Sequence, residues 1–291
     1  MRHSDRAALS CLNRSKTMRP AMVLTDLDGT FLNSDRSICA ANLATLHALG
    51  SQGVVRVAAT GRSLHSARMV IGCDLPFDYL IFSTGAGICH YSDSRIIHQR
   101  ALAKSDIHAV AGFFSDYQLD FSIHQPIPET HRFHWYASPN PTSDLLARLE
   151  FWAEFATQGN FLEIEEASQL LAITLDAREI IEQLQQRFAH LSIIRTTSPI
   201  DNRHTWIEVF PPGSSKGTAA EWLCNSLNIE RKRTMSIGND FNDLAMLEWT
   251  ESSFVVANAP PELVEQFILA PANDEQGFAA AARKWLESLQ P

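Results

Sequence analysis

Short runs that stay apolar at both odd and even positions constrain this chain most. VVRVAA at 54–59 and YLIF at 79–82 leave no polar face, with Arg56 the one exception. Strands of that kind are buried on both sides, as in a parallel sheet covered by helices. A third run, Ala21 to Thr25, precedes them. Helical stretches fall between: 38–49, with Leu43, Leu46 and Leu49 on one face, and 63–71. The order β-α-β-α-β predicts a parallel sheet with flanking helices. The same grammar returns later, with helix 218–227, strand 234–237, helix 241–249, strand 254–257 and helices 261–267 and 278–289. Pro260 and Pro261 suit a helix start. The middle differs. Helices over 106–116, 143–156 and 177–188 alternate with strands over 119–124, 131–137, 170–175, 191–196 and 205–210. The last two are expected to pair as a hairpin across Ser198 to Asn202. The expectation is an α/β core made from 21–100 and 211–291, an α+β domain inserted at 101–210, and a disordered tail over 1–20.

Bulk properties narrow the function. With 291 residues and 45% hydrophobic content, the chain can bury a sizeable core. Net charge is −9 and no basic block occurs, which argues against a nucleic-acid surface but leaves room for a small anion pocket. No apolar run approaches the length of a membrane span. Cys11, Cys39, Cys73, Cys89 and Cys224 form no C-x-x-C pair and are odd in number, so buried thiols in a reducing compartment are expected. The first twenty residues carry five Lys or Arg, one acid and no apolar h-region, so they are not expected to be a secretory signal. A cytoplasmic protein without membrane or nucleic-acid partners is expected.

Four motifs carry the chemistry. VLTDLDGT puts Asp26 and Asp28 where a buried strand ends. Residues i and i+2 of a strand point the same way, toward the crevice at the carboxyl edge of such a sheet. Two close acids repel unless a cation joins them, and an all-oxygen set suits Mg²⁺. A calcium loop fails on spacing: it needs glycine sixth and an acid twelfth, whereas here Gly29 is fourth and Ser37 twelfth. Second, Thr60-Gly61-Arg62 follows a strand and opens a helix. Hydroxyl, glycine amide and helix start together can seat an anion, and Arg62 can fork onto a phosphate or substrate oxygen; alone, the motif reads as a capped helix start. Third, Gly213-Ser214-Ser215-Lys216-Gly217 fits G-x-S-x-G. The nucleophile elbow nonetheless needs a histidine after the serine, and the last histidine is His204. Lys216 is instead read as a fixed positive charge for phosphate. Fourth, Gly238-Asn239-Asp240-Phe241-Asn242-Asp243 follows another strand and offers amide and acid oxygens to a hard cation, or caps a helix.

DLDGT, ATGR, SKG and GNDFND, in that order over 21 to about 289, resemble the haloacid dehalogenase superfamily of phosphohydrolases, and most closely its Cof-type branch with a C2 cap. The resemblance implies a Rossmann-like core with an inserted α+β cap, and an Mg²⁺-dependent phosphomonoester hydrolase acting on a small phosphorylated metabolite, a sugar phosphate by default. Carried over by position, Asp26 would be the nucleophile and Asp28 the general acid and base. Thr60 and Lys216 would hold the phosphoryl group, with Gly61, Arg62 and Asn242 on the substrate side. The metal would take Asp26, the Asp28 backbone carbonyl and Asn239, supported by Asp243. Two departures stand out. Asn239 occupies a position where many relatives have Asp, which predicts weaker metal affinity. Ser83-Thr84-Gly85-Ala86 replaces the usual Asn-Gly-Ala. A phosphotransferase or mutase of the same superfamily, and a non-catalytic metabolite sensor, are the alternatives. In the middle block Phe133, His134, Trp135 and Tyr136 alternate between two strand faces, so half are expected to be core. His131 and His134 lack the helical frame of a zinc site.

Overall fold

The computed structural model describes residues 20–289, so nearly all of the expected tail lies outside the described residues. The chain opens with β1 (Ala21–Thr25), α1 (Ala40–Ser51), β2 (Val54–Ala59), α2 (Leu64–Ile71), β3 (Tyr79–Phe82), β4 (Gly87–His90) and β5 (Ile96–Gln99). A second unit follows: β6 (Leu102–Ala103), α3 (Lys104–Asp116), β7 (Asp120–His124), β8 (Phe133–Tyr136), α4 (Ser143–Phe151), β9 (Ala156–Gln158), β10 (Glu166–Ala167), β11 (Gln169–Thr174), α5 (Arg178–Arg187), β12 (Ser192–Thr197) and β13 (Thr205–Phe210). The chain then returns with α6 (Lys216–Ser226), β14 (Thr234–Gly238), α7 (Leu244–Trp249), β15 (Ser252–Val256), α8 (Pro261–Val264), β16 (Ile268–Ala270) and α9 (Gly277–Ser288).

The first sheet runs β16-β15-β14-β1-β2-β3-β4-β5, parallel from β16 to β3 and antiparallel beyond. Its strands are apolar on both faces because both are covered. Ala21 and Val23 pack with Leu46, Phe278 and Trp285 on one side. Met22 and Leu24 pack with Ala220, Leu223 and Met246 on the other. β1 sits between β14 and β2, so chain order reverses beside it. That reversal opens a crevice at the carboxyl ends of the strands.

The second sheet runs β12-β13-β11-β7-β8-β9. The expected hairpin forms between β12 and β13, pairing Ser192 with Phe210 and Thr197 with Thr205. Phe121, Ile123, Leu170, Ala172, Ile207 and Val209 face α3 and α5. The opposite face carries α4 at one end, through Leu145, Leu171, Ile173 and Trp206. At its other end Phe210 and Ile194 pack into the core cluster of the first sheet. The inserted domain therefore turns that face toward the core.

Some elements differ from the sequence reading. β4 and β5 extend the core sheet where no strand was expected: Gly87–His90 is short and opens on glycine, and Ile96–Gln99 is a half-buried edge with mixed polarity. Helix α4 ends at Phe151 rather than 156, and Ala156–Gln158 joins the sheet beside β8. The helix expected over 261–267 is a single turn, followed by β16 on the sheet edge.

Candidate active site

Asp26 follows β1 directly, its amide still bonded to the Ile237 carbonyl of β14 at 3.0 Å. That bond holds the Asp26 backbone rigidly at the crevice. The chain then turns through Leu27–Phe31, with Gly29 at φ +71°. A Cβ on Gly29 would stand 2.6 Å from the Asn239 side chain, so only glycine lets the two loops meet here. Asp28 lies in this turn, not in the strand. It reaches the site because of the turn rather than through strand alternation.

Lys216 heads α6. Ser215 places it there through a capping box with Thr218, two bonds of 3.0 Å. A lysine at a helix start opposes the dipole, and this one is also fully buried. Carboxylates compensate for both penalties. Its Nζ donates to Asp26 Oδ1 and to Asp243 Oδ1, each at 2.7 Å, and to Asn242 Oδ1 at 3.3 Å. Burial works against the ammonium, but Asp243 and Asp26 outweigh it and raise its pKa, so Lys216 stays cationic. Burial lifts the Asp26 carboxyl above the ordinary range; Lys216 opposes the rise, and Asp243 and Asp28 add to it. Two buried carboxylates share one ammonium, leaving an excess of negative charge in a buried pocket.

Asp243 is wholly occupied by the protein. Its Oδ1 takes Lys216, and its Oδ2 accepts the Asn239 and Asp240 amides at 2.8 and 3.1 Å. It shapes the loop after β14. Asp240 turns away, accepting the Phe241 amide at 2.8 Å and the Thr197 amide of β12 at 3.4 Å.

Asn239 closes the far side. One terminal atom of its amide lies 3.3 Å from Asp26 Oδ2, 3.1 Å from the Asp28 carbonyl oxygen and 3.2 Å from Thr30 Oγ1. With nitrogen there, the amide donates to these oxygens. With oxygen there, it accepts from Thr30 Oγ1 and stands 3.3 and 3.1 Å from two further acceptors, close to the spacing of about 2.9 Å between adjacent ligands of an octahedral Mg²⁺. This donor set and the negative excess fit a hard divalent cation.

Arg62 contacts Asp28. Its Nε and Nη2 fork onto the two Asp28 oxygens at 2.6 Å each, and Nη1 reaches Ser66 Oγ at 2.9 Å. The fork expected for a phosphate is thus made to a carboxylate, whose planar geometry matches the guanidinium. Thr60 is buried, and its Oγ1 accepts the Arg62 amide at 3.1 Å. Gly61 sits against Asn242: a Cβ there would stand 3.2 Å from Asn242 Nδ2. Asp26, Asp28, Asn239, Asn242, Asp243 and Lys216 are thereby linked, with Thr60, Gly61 and Arg62 along one edge.

Sequence reasoning missed the roof. Glu208, Gln169 and His124 lie on the inserted sheet's core-facing side, where Gln169 pairs with His124 and Glu208 pairs with Leu171 on the neighbouring strand. Glu208 accepts Gln169 Nε2 at 2.8 Å and Thr196 Oγ1 at 2.9 Å. Burial pushes its carboxyl up to about 7, against the hydrogen bonds from Thr196 and Gln169 and the positive charges of Arg148 and Lys216. Buried Arg148 lies over Phe133 and Trp206, and its Nη2 donates to His124 Nε2 at 2.8 Å. His124 Nδ1 donates to the Thr130 carbonyl at 2.7 Å; burial and Arg148 hold the ring neutral, with a pKa of about 3. The signal in the sequence was polar residues at alternate positions of otherwise apolar strands. Of the aromatic run, Phe133 faces this side and Tyr136 stacks on Phe121 in the opposite core. His131 stacks instead on His65 of α2, with ring centroids 4.4 Å apart. Among the described residues, the one group of three acidic or histidine ligands close enough for a metal is Asp144, Asp201 and His204, at the α4 end of this domain. It could hold a divalent ion, but Asp144 already accepts Ser198 Oγ and Trp206 Nε1, and Asp201 pairs with His204.

Residues 23–281 match the family model of haloacid dehalogenase-like hydrolases. Among curated proteins, the putative phosphatase YxeH of Bacillus subtilis is 26% identical over 89% of this chain and 96% of its own length. The 5-amino-6-(5-phospho-D-ribitylamino)uracil phosphatase YwtE of the same organism is 24% identical over 88% and 95%. Among solved structures, the phosphatase BT1666 from Bacteroides thetaiotaomicron superposes with a TM-score of 0.77 at 18% identity, over 97% of this chain and all of that one. The subclass IIB sugar phosphatase BT4131 superposes at 0.73, also at 18% identity, over 93% and 100%. These structures share the core sheet and the inserted cap.

Proposed function

The chain belongs to the haloacid dehalogenase-like hydrolase family, and on that premise we propose that it hydrolyses a small phosphorylated metabolite through a phosphoryl group carried on Asp26. The observation that carries the reading is the Asp26 carboxylate. It is buried, pinned by Lys216 on one oxygen and faced on the other by Asn239, which also adjoins the Asp28 carbonyl.

In the first half-reaction an Asp26 oxygen attacks phosphorus and the ester P–O bond breaks. Asp28, as the carboxylic acid, gives its proton to the departing oxygen, so a neutral alcohol leaves. In the second, water attacks phosphorus and gives its proton to the Asp28 carboxylate. The Asp26–phosphorus bond breaks, releasing phosphate and restoring the carboxylate. The Arg62 fork favours the Asp28 carboxylate, the form that accepts the proton from water, and it opens when Asp28 carries the proton for the leaving oxygen. Lys216 neutralises a phosphoryl oxygen, and Thr60 and the Gly61 amide would bind the others.

Asp26, the Asp28 carbonyl and Asn239 would hold Mg²⁺, with Asp243 fixing the loop that presents Asn239. A bound Mg²⁺ supplies the positive charge that lets a carboxylate approach a phosphate. The cap closes the site from water, and its face of Glu208, Gln169, His124 and Arg148 meets the leaving group. Those groups both donate and accept hydrogen bonds, which supports a hydroxyl-bearing leaving group such as a sugar.

The test is phosphate release from a panel of sugar phosphates, nucleotides and cofactor phosphates with Mg²⁺, using Asp26→Asn as the blank. Release by the wild type and none by the variant is expected. Silence across the panel, or equal release by both, contradicts the proposal.

A further inference from the structure

The loop after β3 is bent in an unusual way. Ser83, Thr84 and Gly85 have φ of +47°, +51° and +93° in succession. Left-handed backbone is natural for glycine but costly for a β-branched residue such as threonine. The surroundings enforce it. The Thr84 amide bonds the Thr60 carbonyl at 3.1 Å, and a Cβ on Gly85 would stand 2.2 Å from the Ser215 carbonyl at the head of α6. The loop is thus pressed between the Thr60 motif and the Lys216 helix.

This bend sends the Thr84 side chain to a specific place. Thr84 is completely buried, and its hydroxyl has no hydrogen-bond partner among the described residues. A Cβ on Gly61 would stand 3.4 Å from Thr84 Oγ1 and 3.2 Å from Asn242 Nδ2. The orphan hydroxyl therefore shares one spot with the Gly61 backbone and with Asn242, whose other amide atom touches Lys216. An unpartnered buried hydroxyl is costly unless a ligand completes it. Strain held in place beside such a group is the signature of a preorganised site.

We propose that the Thr84 hydroxyl is a further donor to an oxygen of the phosphoryl group, acting beside Thr60 and Lys216. The inference rests on the phosphoryl site proposed above and adds a residue that none of the four motifs contains. Neighbouring Ser83 hydroxyl reaches Thr130 of the cap at 3.4 Å, so the same bend connects the phosphoryl seat to the cap.

Orthovanadate, an oxyanion shaped like the phosphoryl group, is the probe. Its affinity for the full chain with Mg²⁺ is measured by calorimetry for wild type, Thr84→Val, Thr84→Ala and Thr84→Ser, beside the unfolding midpoint of each. Val keeps the shape and Ala guards against misfolding of the Val variant; both remove the hydroxyl. They are expected to bind vanadate about 10-fold more weakly, with Ser within about 2-fold of wild type. Thr84→Val should unfold no earlier than wild type, because it removes an unsatisfied polar group. Wild-type affinity in both hydroxyl-free variants, or Ser as weak as Val, overturns the inference. Wild type binding no vanadate overturns it as well. Wild-type turnover of phosphate esters reports separately on the hydrolase reading, so a protein that binds vanadate through Thr84 without turnover would sink only the latter.

Discussion

Asn239 shows how one atom decides what a pocket can hold. An aspartate at this position would add a third carboxylate beside Asp26 and Asp243, whereas the amide can donate to Asp26 Oδ2 and the Asp28 carbonyl. Asn239→Asp should therefore tighten Mg²⁺ binding about 10-fold, the effect of roughly one added charge in a partly buried site. It should also destabilise the metal-free protein by about 1–2 kcal/mol through like-charge repulsion. Titration calorimetry, with melting curves in chelator and in Mg²⁺, checks both; unchanged affinity refutes the first expectation. Asp26, Lys216 and Asn239 were legible as candidates because each sits at a strand end or helix start; Asp28 was legible as a candidate beside Asp26, but it reaches the site through the turn after β1. The Arg62 fork onto Asp28 was not legible. A guanidinium recognises a carboxylate and a phosphate by the same geometry, and spacing alone does not choose between them.

At the scale of elements, a buried strand of the core and an alternating strand of the cap carry different signals, and both kinds were legible. β1, β2 and β3 need only a hydrophobic run. β5 and β16 lie toward sheet edges, where polarity is mixed and the apolar signal fades. The loop between β3 and β4 carries the strongest backbone demand. Gly85→Ala would place a Cβ against the Ser215 carbonyl in left-handed backbone. It should cost on the order of 3 kcal/mol, read as a lower thermal midpoint, because neither the strand nor helix α6 can yield. In the cap sheet, Glu208 makes stability depend on pH. Its folded carboxyl keeps its proton up to about 7, whereas the ordinary value is 4.5. Between those values the folded state binds more protons, so this contribution is present at low pH and lost as pH rises. Relative to Glu208→Gln, wild type should lose about 2 kcal/mol between pH 5 and pH 7 in urea titrations. A difference that stays flat over that range contradicts a buried, protonated Glu208.

For the whole molecule, the active site depends on two units meeting. The insertion was legible as a change of grammar, from doubly buried runs to alternating ones. Which cap face would turn to the core was not, because that choice is made by Phe210 and Ile194 joining the core cluster across some 150 residues of chain. Described core and cap meet through Ser83 with Thr130, His65 with His131, and Asp240 with Thr197. The two chain crossings lie side by side, and Arg100 Nη1 bonds the Pro212 carbonyl at 2.9 Å to join them. Arg100→Ala should change kcat and KM together, by a few-fold, as hinge substitutions do, while leaving the melting point nearly unchanged because the contact is exposed. Steady-state kinetics with the best substrate of the panel checks this.

The most direct test of the account is to find where the phosphoryl group goes. The protein is mixed with Mg²⁺ and a hydrolysed ester, quenched in acid during turnover, and digested, and the Asp26 peptide is weighed. A peptide heavier by one phosphoryl group is expected in wild type, and an unmodified one in Asp26→Asn. Steady phosphate release with an Asp26 peptide that never carries the group, or release that survives Asp26→Asn, would contradict the proposal.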